Sequence, residues 1–178
     1  ALTALCSRNE AHIREAAQRH GLQAAAFTDY GAMLRSGQVD AILICTPHAQ
    51  HPEMTRQALE AGLHVLVEKP VGIFADEVAE ILPVLAERPE LVCGVMYNRR
   101  AAQAYRHVKN LVQSGELGEL VRCSWIITNL YRTEAYYTSG AWRGTWQGEG
   151  GGLLMTQASH QLDLMQWICG MPVSVLAR

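Results

Sequence analysis

The sequence has little charge and no long apolar run. Charged residues make up 18% of the 178 residues and the net charge is -2, which leaves no basic surface for nucleic acid and no acidic tail. The longest apolar runs have the length of a strand, well short of the ~20 residues that cross a bilayer. The N-terminal residues carry neither the charged region nor the cleavage pattern of a signal peptide. We therefore expect no nucleic-acid partner and no membrane insertion.

Cysteine does not occur in any functional pattern. The five cysteines are widely spaced and include no Cys-x-x-Cys: they are Cys6, Cys45, Cys93, Cys123 and Cys169. Most fall inside predicted strands, where cysteine behaves as a small apolar residue. No group of His, Cys and Asp has the spacing of metal ligands. These absences favour a soluble protein of a reducing compartment, the cytoplasm, without a bound metal.

The first half of the chain alternates short apolar runs with helical stretches. Strands are predicted at Leu2–Cys6, Ala24–Phe27, Ala41–Cys45, Leu63–Val67 and Leu91–Tyr97. Helices are predicted at Glu10–His20, Tyr30–Ser36, Pro52–Ala61 and Ala75–Glu87, the last with a kink at Pro83. Strands separated by helices imply right-handed βαβ crossovers and a doubly wound parallel sheet of the Rossmann-like α/β type.

The second half of the chain has a different pattern. Apolar and polar residues alternate over Glu119–Leu130, as in a half-exposed antiparallel strand. The other predicted elements are helices at Ala101–Ser114 and Ser159–Cys169 and a strand at Pro172–Ala177. We therefore predict a partial cofactor-binding domain at residues 1–97. Residues 98–178 are predicted to begin an α+β domain with a mainly antiparallel sheet.

Lys69 is the strongest candidate for chemistry. It follows the predicted strand Leu63–Val67 directly after Glu68, and Pro70 fixes the backbone behind it. The carboxyl end of such a strand is where doubly wound folds open their ligand crevice. Lys69 is therefore predicted to lie on a rigid element at the edge of a ligand site.

Four motifs, in this order, resemble the Gfo/Idh/MocA oxidoreductases, the family that includes glucose–fructose oxidoreductase and inositol dehydrogenase. They are the segment from Asp40 to Pro47 with His51, the segment from Gly62 to Pro70, Asn98-Arg99 with the helix that leads to Gly118, and the run from Gly150 to Gly152 followed by Ser159, His160 and Asp163. The resemblance covers essentially the whole chain. It implies hydride transfer between NAD(P) and a sugar, polyol or sugar-derived substrate.

The resemblance also implies roles for individual residues. Lys69 would accept the hydroxyl proton while hydride leaves the same carbon, because the like charge of the oxidised nicotinamide disfavours protonation of the amine. His160 would assist, and Asp163 on the same helix face could orient its imidazole. The predicted cofactor-binding residues are Ser7, Arg8, Cys45, Thr46, Pro47, His51, Glu68, Lys69, Pro70 and Asn98.

An aromatic segment with one arginine precedes the glycine run. Trp142 can stack on the CH groups of a sugar, and Arg143 can pair with a carboxylate or phosphate. For the tryptophans, packing within the loop or at an oligomer interface is an equal alternative. The predicted substrate-binding residues are Lys69, Trp142, Arg143, Gln157, His160 and Asp163.

The chain departs from the family pattern in two respects. It lacks the Gly-x-Gly-x-x-Gly turn that holds the pyrophosphate, so we expect the first strand and its turn to be missing, together with most of the C-terminal sheet. Thr156 stands where the family commonly has Asp, which leaves Lys69 and His160 as the expected acid/base pair. The resemblance implies a homo-oligomer that forms through the C-terminal sheet.

The turn after the first predicted strand favours NADP over NAD. In dinucleotide folds a carboxylate at this turn accepts a hydrogen bond from the ribose 2′-hydroxyl and would repel a 2′-phosphate. Here Ser7 stands where the family often has Asp, and Arg8 can pair with a phosphate. We therefore predict NADP as the preferred cofactor and NAD as the other.

Two other functions stay open. A glycosidase on the same fold would oxidise its sugar transiently with a tightly held NAD and would consume no net cofactor. A non-catalytic ligand sensor or regulatory relative would need no proton relay, so the presence of both Lys69 and His160 counts against it. Fold alone does not separate these functions.

Overall fold

The computed structural model describes residues 1–129 and 131–176. The chain divides into two compact units, each with its own internal contacts. The first unit consists of Ala1–Thr46 and Gln50–Val95, and the second of Pro47–Ala49 and Met96–Arg178.

Five short parallel strands form the frame of the first unit. They are β1 (Ala4–Cys6), β2 (Ala25–Phe27), β3 (Ala41–Ile44), β4 (His64–Val67) and β5 (Cys93–Val95). β1 pairs with β2 in one sheet, and β4 lies between β3 and β5 in another. Every pairing is parallel, which confirms the predicted parallel sheets of a Rossmann-like fold.

The helices of the first unit lie close to their predicted positions. They are α1 (Glu10–His20), α2 (Tyr30–Leu34), α3 (His51–Glu60), α4 (Ala75–Ala79) and α5 (Ile81–Glu87). Asn9 begins α1 because its side chain accepts a hydrogen bond from the Ala11 N–H, and Gly21 ends it in the left-handed conformation. The kink predicted at Pro83 corresponds to the boundary between α4 and α5 at Glu80, since Pro83 has no N–H to donate to the Ala79 carbonyl.

The core of the first unit covers one face of the three-stranded sheet. Alternate strand residues, among them Ile44 and Val67, pack with Leu59 of α3 in one buried apolar cluster. On the opposite face Leu43 is 56% exposed and Leu66 is 38% exposed. Leu43 and Leu66 therefore leave the opposite face of this three-stranded sheet partly uncovered by the described residues.

The second unit is helical. Its elements are a 3₁₀ turn at Asn98–Ala101, α6 (Gln103–Gln113), α7 (Glu134–Thr138), α8 (Trp146–Glu149), α9 (Leu153–Thr156) and α10 (Ser159–Cys169). α10 has the limits that the sequence predicts, and it packs against α6. Leu164 and Ile168 of α10 are buried, one helical turn apart on the same face.

The predicted antiparallel strands are absent from the described part of the second unit. Residues 119–129 and 172–176 adopt no strand, and the ends of the two predicted strands, Leu130 and Ala177, lie outside the described residues. A strand needs a neighbour to which its N–H and C=O groups can bond, and these segments pair with no other described segment. Val121 is 93% exposed and Ile126 is 84% exposed, so the apolar residues of this alternating pattern are not covered by a neighbouring strand among the described residues.

Candidate active site

Lys69 lies at the carboxyl edge of the three-stranded sheet, two residues beyond the end of β4. Thr46 lies two residues beyond the end of β3, and the ladder pairs Ile44 with Val67, so both loops leave the sheet at the same level. The Glu68 N–H donates to the Ile44 carbonyl at 2.9 Å and thereby extends the ladder to the residue before the lysine. Lys69 is half-buried. This edge is where doubly wound folds bind their ligands.

His51 connects the two loops at this edge. It is the first residue of α3, and its side chain is fully buried. Its Nδ1 lies 2.7 Å from the Pro70 carbonyl oxygen, and its Nε2 lies 2.7 Å from the Thr46 carbonyl oxygen. One imidazole therefore links the loop after β3 to the turn that carries Lys69.

Cys45 lies between β3 and the Thr46 loop. Partial burial raises the pKa of its thiol, and the Glu68 carboxylate raises it further. The Thr46 hydroxyl donates to the Met54 sulfur at 3.3 Å. The structure thus brings six of the predicted cofactor residues to one sheet edge: Cys45, Thr46, His51, Glu68, Lys69 and Pro70. Pro47 and Asn98 belong to the second unit.

The turn after β1 carries the predicted adenosine-side residues. The Ser7 hydroxyl accepts a hydrogen bond from the Asn9 N–H at 3.3 Å, and the Asn9 side-chain oxygen caps α1. Both contacts use acceptor positions, so the Ser7 O–H and the Asn9 amide NH₂ stay available as donors. Arg8 is exposed. The turn therefore offers donors to an anion.

His160 lies on the first turn of α10 and is half-buried. The ring of Tyr97 meets it edge-on, with 6.0 Å between ring centroids. Asp163, one turn further along α10, accepts hydrogen bonds on both carboxylate oxygens from Arg100, at 2.8 and 2.5 Å. The charge on Asp163 is thus balanced by Arg100. A role for Asp163 in orienting His160 or binding substrate stays a prediction.

Two of the remaining predicted substrate residues, Arg143 and Gln157, share a partner in Tyr136, a member of the aromatic segment that was not among the predicted substrate-binding residues. The Tyr136 hydroxyl accepts hydrogen bonds from Arg143 at 2.7 Å and from Gln157 at 2.9 Å. The Arg143 guanidinium also lies 4.4 Å from the Tyr136 ring and 4.6 Å from the Trp142 ring. The signal available in the sequence was the aromatic segment itself, but nothing in it identifies Tyr136 as the shared acceptor.

The loop before the glycine run is shaped by one close approach. A Cβ on Gly148 would lie 2.2 Å from the Trp142 carbonyl oxygen, so no larger residue fits there. The buried Glu149 accepts a hydrogen bond from the Gly144 N–H at 3.0 Å and closes the loop. Thr156, at the position of the expected Asp, is 6% exposed and donates to the Gly152 carbonyl. Thr156 therefore has the contacts of a packing residue.

No group of three or more His, Cys, Asp or Glu side chains in residues 1–129 and 131–176 could hold a metal ion. Across the same residues, no helix has both the length and the apolar character needed to cross a membrane.

The parallel strands and the helices between them form a Rossmann-like fold. Residues 1–97 match the profile of an oxidoreductase family with an NAD-binding Rossmann fold, Gfo/Idh/MocA. Residues 105–178 match the Gfo/Idh/MocA C-terminal domain. The chain belongs to the Gfo/Idh/MocA oxidoreductase family, which confirms the resemblance seen in its motifs.

Two of the relatives are named for a sugar-derived substrate and for a polyol. The chain is 39% identical over 118 residues to dTDP-3,4-didehydro-2,6-dideoxy-alpha-D-glucose 3-reductase of Streptomyces violaceoruber, covering 66% of the chain and 34% of that enzyme. It is 31% identical over 151 residues to inositol 2-dehydrogenase of Leifsonia xyli, covering 84% and 40%. The WlbA dehydrogenase of Bordetella pertussis, solved with NADH and UDP-GlcNAcA, has a TM-score of 0.80 at 27% identity, covering 99% and 56%.

The chain spans about half the length of the curated relatives it matches. The first three are covered over 40%, 46% and 51% of their own lengths.

Proposed function

We propose that the full-length protein transfers a hydride between NAD(P) and a CH–OH carbon of a sugar, polyol or sugar-derived substrate. The observation that carries this proposal is the position of Lys69 at the carboxyl edge of β4, on a turn tied to the Thr46 loop. Family membership adds support, because the named relatives are oxidoreductases of sugars and polyols.

The residues at this edge fit a nicotinamide cofactor. The loop after β3 and the turn after β4 leave the sheet side by side, and the turn after β1 offers donors suited to a ribose or phosphate. When bound, the nicotinamide supplies the acceptor or donor of the hydride. Its binding is proposed for Ser7, Arg8, Cys45, Thr46, Pro47, Glu68, Lys69, Pro70 and Asn98.

Lys69 is proposed to be the acid/base residue. In the oxidation direction its Nζ accepts the hydroxyl proton while the C–H electron pair leaves the same carbon as hydride, so the carbon becomes a carbonyl. In the reverse direction Lys69 returns that proton. His160 is proposed to assist proton transfer from α10, with its ring held by Tyr97.

The substrate is proposed to meet the aromatic segment of the second unit. Trp142 offers a ring face for sugar CH groups, and Arg143 and Gln157 offer N–H donors for hydroxyl or carboxylate oxygens. Tyr136 joins this set, because it accepts from Arg143 and Gln157 and keeps its own O–H to donate. Asp163 is also proposed to bind substrate, and its carboxylate accepts a hydrogen bond from Arg100.

A further strand is proposed to complete the first unit. In dinucleotide folds the strand order is 3-2-1-4-5-6, and β2-β1 and β3-β4-β5 have the order expected of strands 3-2 and 4-5-6. A strand inserted between β1 and β3 would join the two sheets, and its following helix would cover Leu43 and Leu66. A Gly-x-Gly-x-x-Gly sequence upstream of Ala1 in the full reading frame supports this proposal, and an upstream sequence without it contradicts it.

The domain boundary, the sheet of the second domain, oligomerisation and cellular location are also proposals. We propose a cofactor domain at residues 1–97 and a substrate and oligomerisation domain from residue 98, which agrees with the two matched profiles and the two compact units. A mainly antiparallel sheet in the second domain and a homo-oligomer through it are proposed. A cytoplasmic location is proposed because the five cysteines are free thiols.

The test is the stoichiometry of the cofactor. Full-length protein is mixed with oxidised cofactor and a panel of sugars and polyols, and the absorbance of reduced nicotinamide is recorded. An oxidoreductase forms one reduced cofactor for each carbonyl product. Sugar cleavage without net cofactor reduction would identify the glycosidase function, and ligand binding without turnover would identify a sensor; either result overturns the proposal.

A further inference from the structure

The contacts of His51 place an unusual demand on its protonation. Both ring nitrogens lie 2.7 Å from backbone carbonyl oxygens, those of Pro70 and Thr46. A carbonyl oxygen can only accept a hydrogen bond, and a neutral imidazole has a single N–H to donate. Only the doubly protonated ring can donate to both oxygens at once.

The two hydrogen bonds of His51 lie in a buried environment. The side chain is 0% exposed, so water cannot replace either one. A buried charge is costly unless it is hydrogen-bonded, and bonds from a charged donor are the shorter and stronger kind. Two carbonyl dipoles at 2.7 Å meet that requirement.

We propose that His51 is a positioning residue held as an imidazolium, which fixes the lysine turn to the loop after β3. One bond ends on Pro70, the residue after Lys69, and the other ends on Thr46. The side chain has no exposed surface, so His51 acts through these two loops and does not itself contact the cofactor. The consequence for catalysis rests on the proposed role of Lys69, whereas the protonation of His51 does not.

His64 provides a matched control in the same unit. It begins β4, and its Nδ1 accepts a hydrogen bond from the Val92 N–H at 3.0 Å. A ring nitrogen that accepts cannot carry a proton, so His64 is a neutral imidazole with its proton on Nε2. The two histidines therefore differ in the protonation of Nδ1.

Nitrogen-15 NMR of the full-length protein labelled at histidine tests the protonation directly at neutral pH. The His51 resonances are assigned by their loss in His51→Gln, and those of His64 by their loss in His64→Asn. We expect two protonated nitrogens in His51 and one in His64. A single protonated nitrogen in His51 overturns the proposal, whether or not the protein proves to be an oxidoreductase.

Variants test the positioning role. His51→Asn and His51→Gln each retain a single donor nitrogen, so they can donate to only one of the two carbonyl positions, and His51→Phe retains no donor. We expect kcat to fall roughly tenfold in the first two and roughly a hundredfold in His51→Phe, as for a displaced catalytic group. His64→Asn should keep wild-type kcat. Equal losses in the three His51 variants, or none, would show that the donors do not position the lysine turn.

Discussion

Arg100 and Asp163 form a two-point ion pair inside the second unit, although 63 residues separate them in sequence. The Asp163 side chain is 7% exposed and the Arg100 side chain 39%. The guanidinium also lies 5.5 Å from the Trp167 ring, on the same helix as Asp163. The Asp163 hydrogen bond raises the pKa of Arg100, so the guanidinium stays charged. It joins the 3₁₀ turn at Asn98–Ala101 to α10, the helix of His160.

Removal of Arg100 should therefore destabilise the protein. Arg100→Met leaves the Asp163 carboxylate buried without its partner, and we expect a loss of about 2–3 kcal/mol in unfolding free energy. This value is at the low end for buried pairs because Arg100 is partly exposed. Urea denaturation measures the loss. Arg99→Met is the control, since Arg99 is exposed and forms no salt bridge with a carboxylate among the described residues. Equal losses in both variants would contradict this account of the pair.

The pH dependence of turnover should depend on His160. We expect His160→Asn to lower kcat less than a change at Lys69 does, and to shift the pH–kcat profile, because a proton-transfer group is lost. Profiles of wild type and variant are compared over the same pH range. His107→Asn, on α6, is the control and should keep the wild-type profile. If the profile of His160→Asn does not move, His160 is structural.

The turn after β1 should decide the cofactor preference. We expect wild-type protein to use NADP with a higher kcat/KM than NAD, because Ser7 and Asn9 keep donors free for a 2′-phosphate. Ser7→Asp should reverse the ratio, since its carboxylate repels the phosphate and accepts from a ribose hydroxyl. Steady-state kinetics with both cofactors measures it. A wild-type preference for NAD, or an unchanged ratio in the variant, would refute this assignment.

The Glu68 charge should be visible in the reactivity of Cys45. Burial first and then the Glu68 carboxylate raise the pKa of this thiol, and the thiolate is the form that reacts. Glu68→Gln removes the charge and lowers that pKa, so alkylation at neutral pH should become roughly two- to tenfold faster. Mass spectrometry follows each cysteine separately. Cys6, whose pKa is raised by burial and by Asp29, is the internal control and should react at an unchanged rate; a slower Cys45 would contradict the sign.

The sequence predicted most accurately the helices whose limits depend on residues close to one another in the chain. α1 has the limits set by Asn9 and Gly21, and α10 runs from Ser159 to Cys169 as its pattern indicates. These succeed because capping and helical periodicity involve residues within a few positions. The alternation over residues 119–129 is typical of a half-exposed strand, but it could not supply a neighbouring strand, and the described residues form no strand there.

Long-range contacts set the limit of what the sequence predicted in the candidate site. The motifs placed both His51 and Lys69 among the cofactor-binding residues, but they could not show that one imidazole reaches both Pro70 and Thr46. The spacing of His160 and Asp163 predicted a shared helix face. It did not reveal Arg100, because an ion-pair partner so distant in sequence leaves no periodic signal.

The most direct test of the central claim is Lys69→Met in the full-length protein, with cofactor affinity and turnover measured side by side. The variant keeps a side chain of similar length and loses the proton acceptor, so kcat should fall at least about a hundredfold while the cofactor Kd changes little. Lys109→Met, a lysine of α6 in contact with Trp167, is the control and should keep wild-type kcat. Near-normal turnover in Lys69→Met would remove Lys69 from the mechanism and contradict the proposed function of this site.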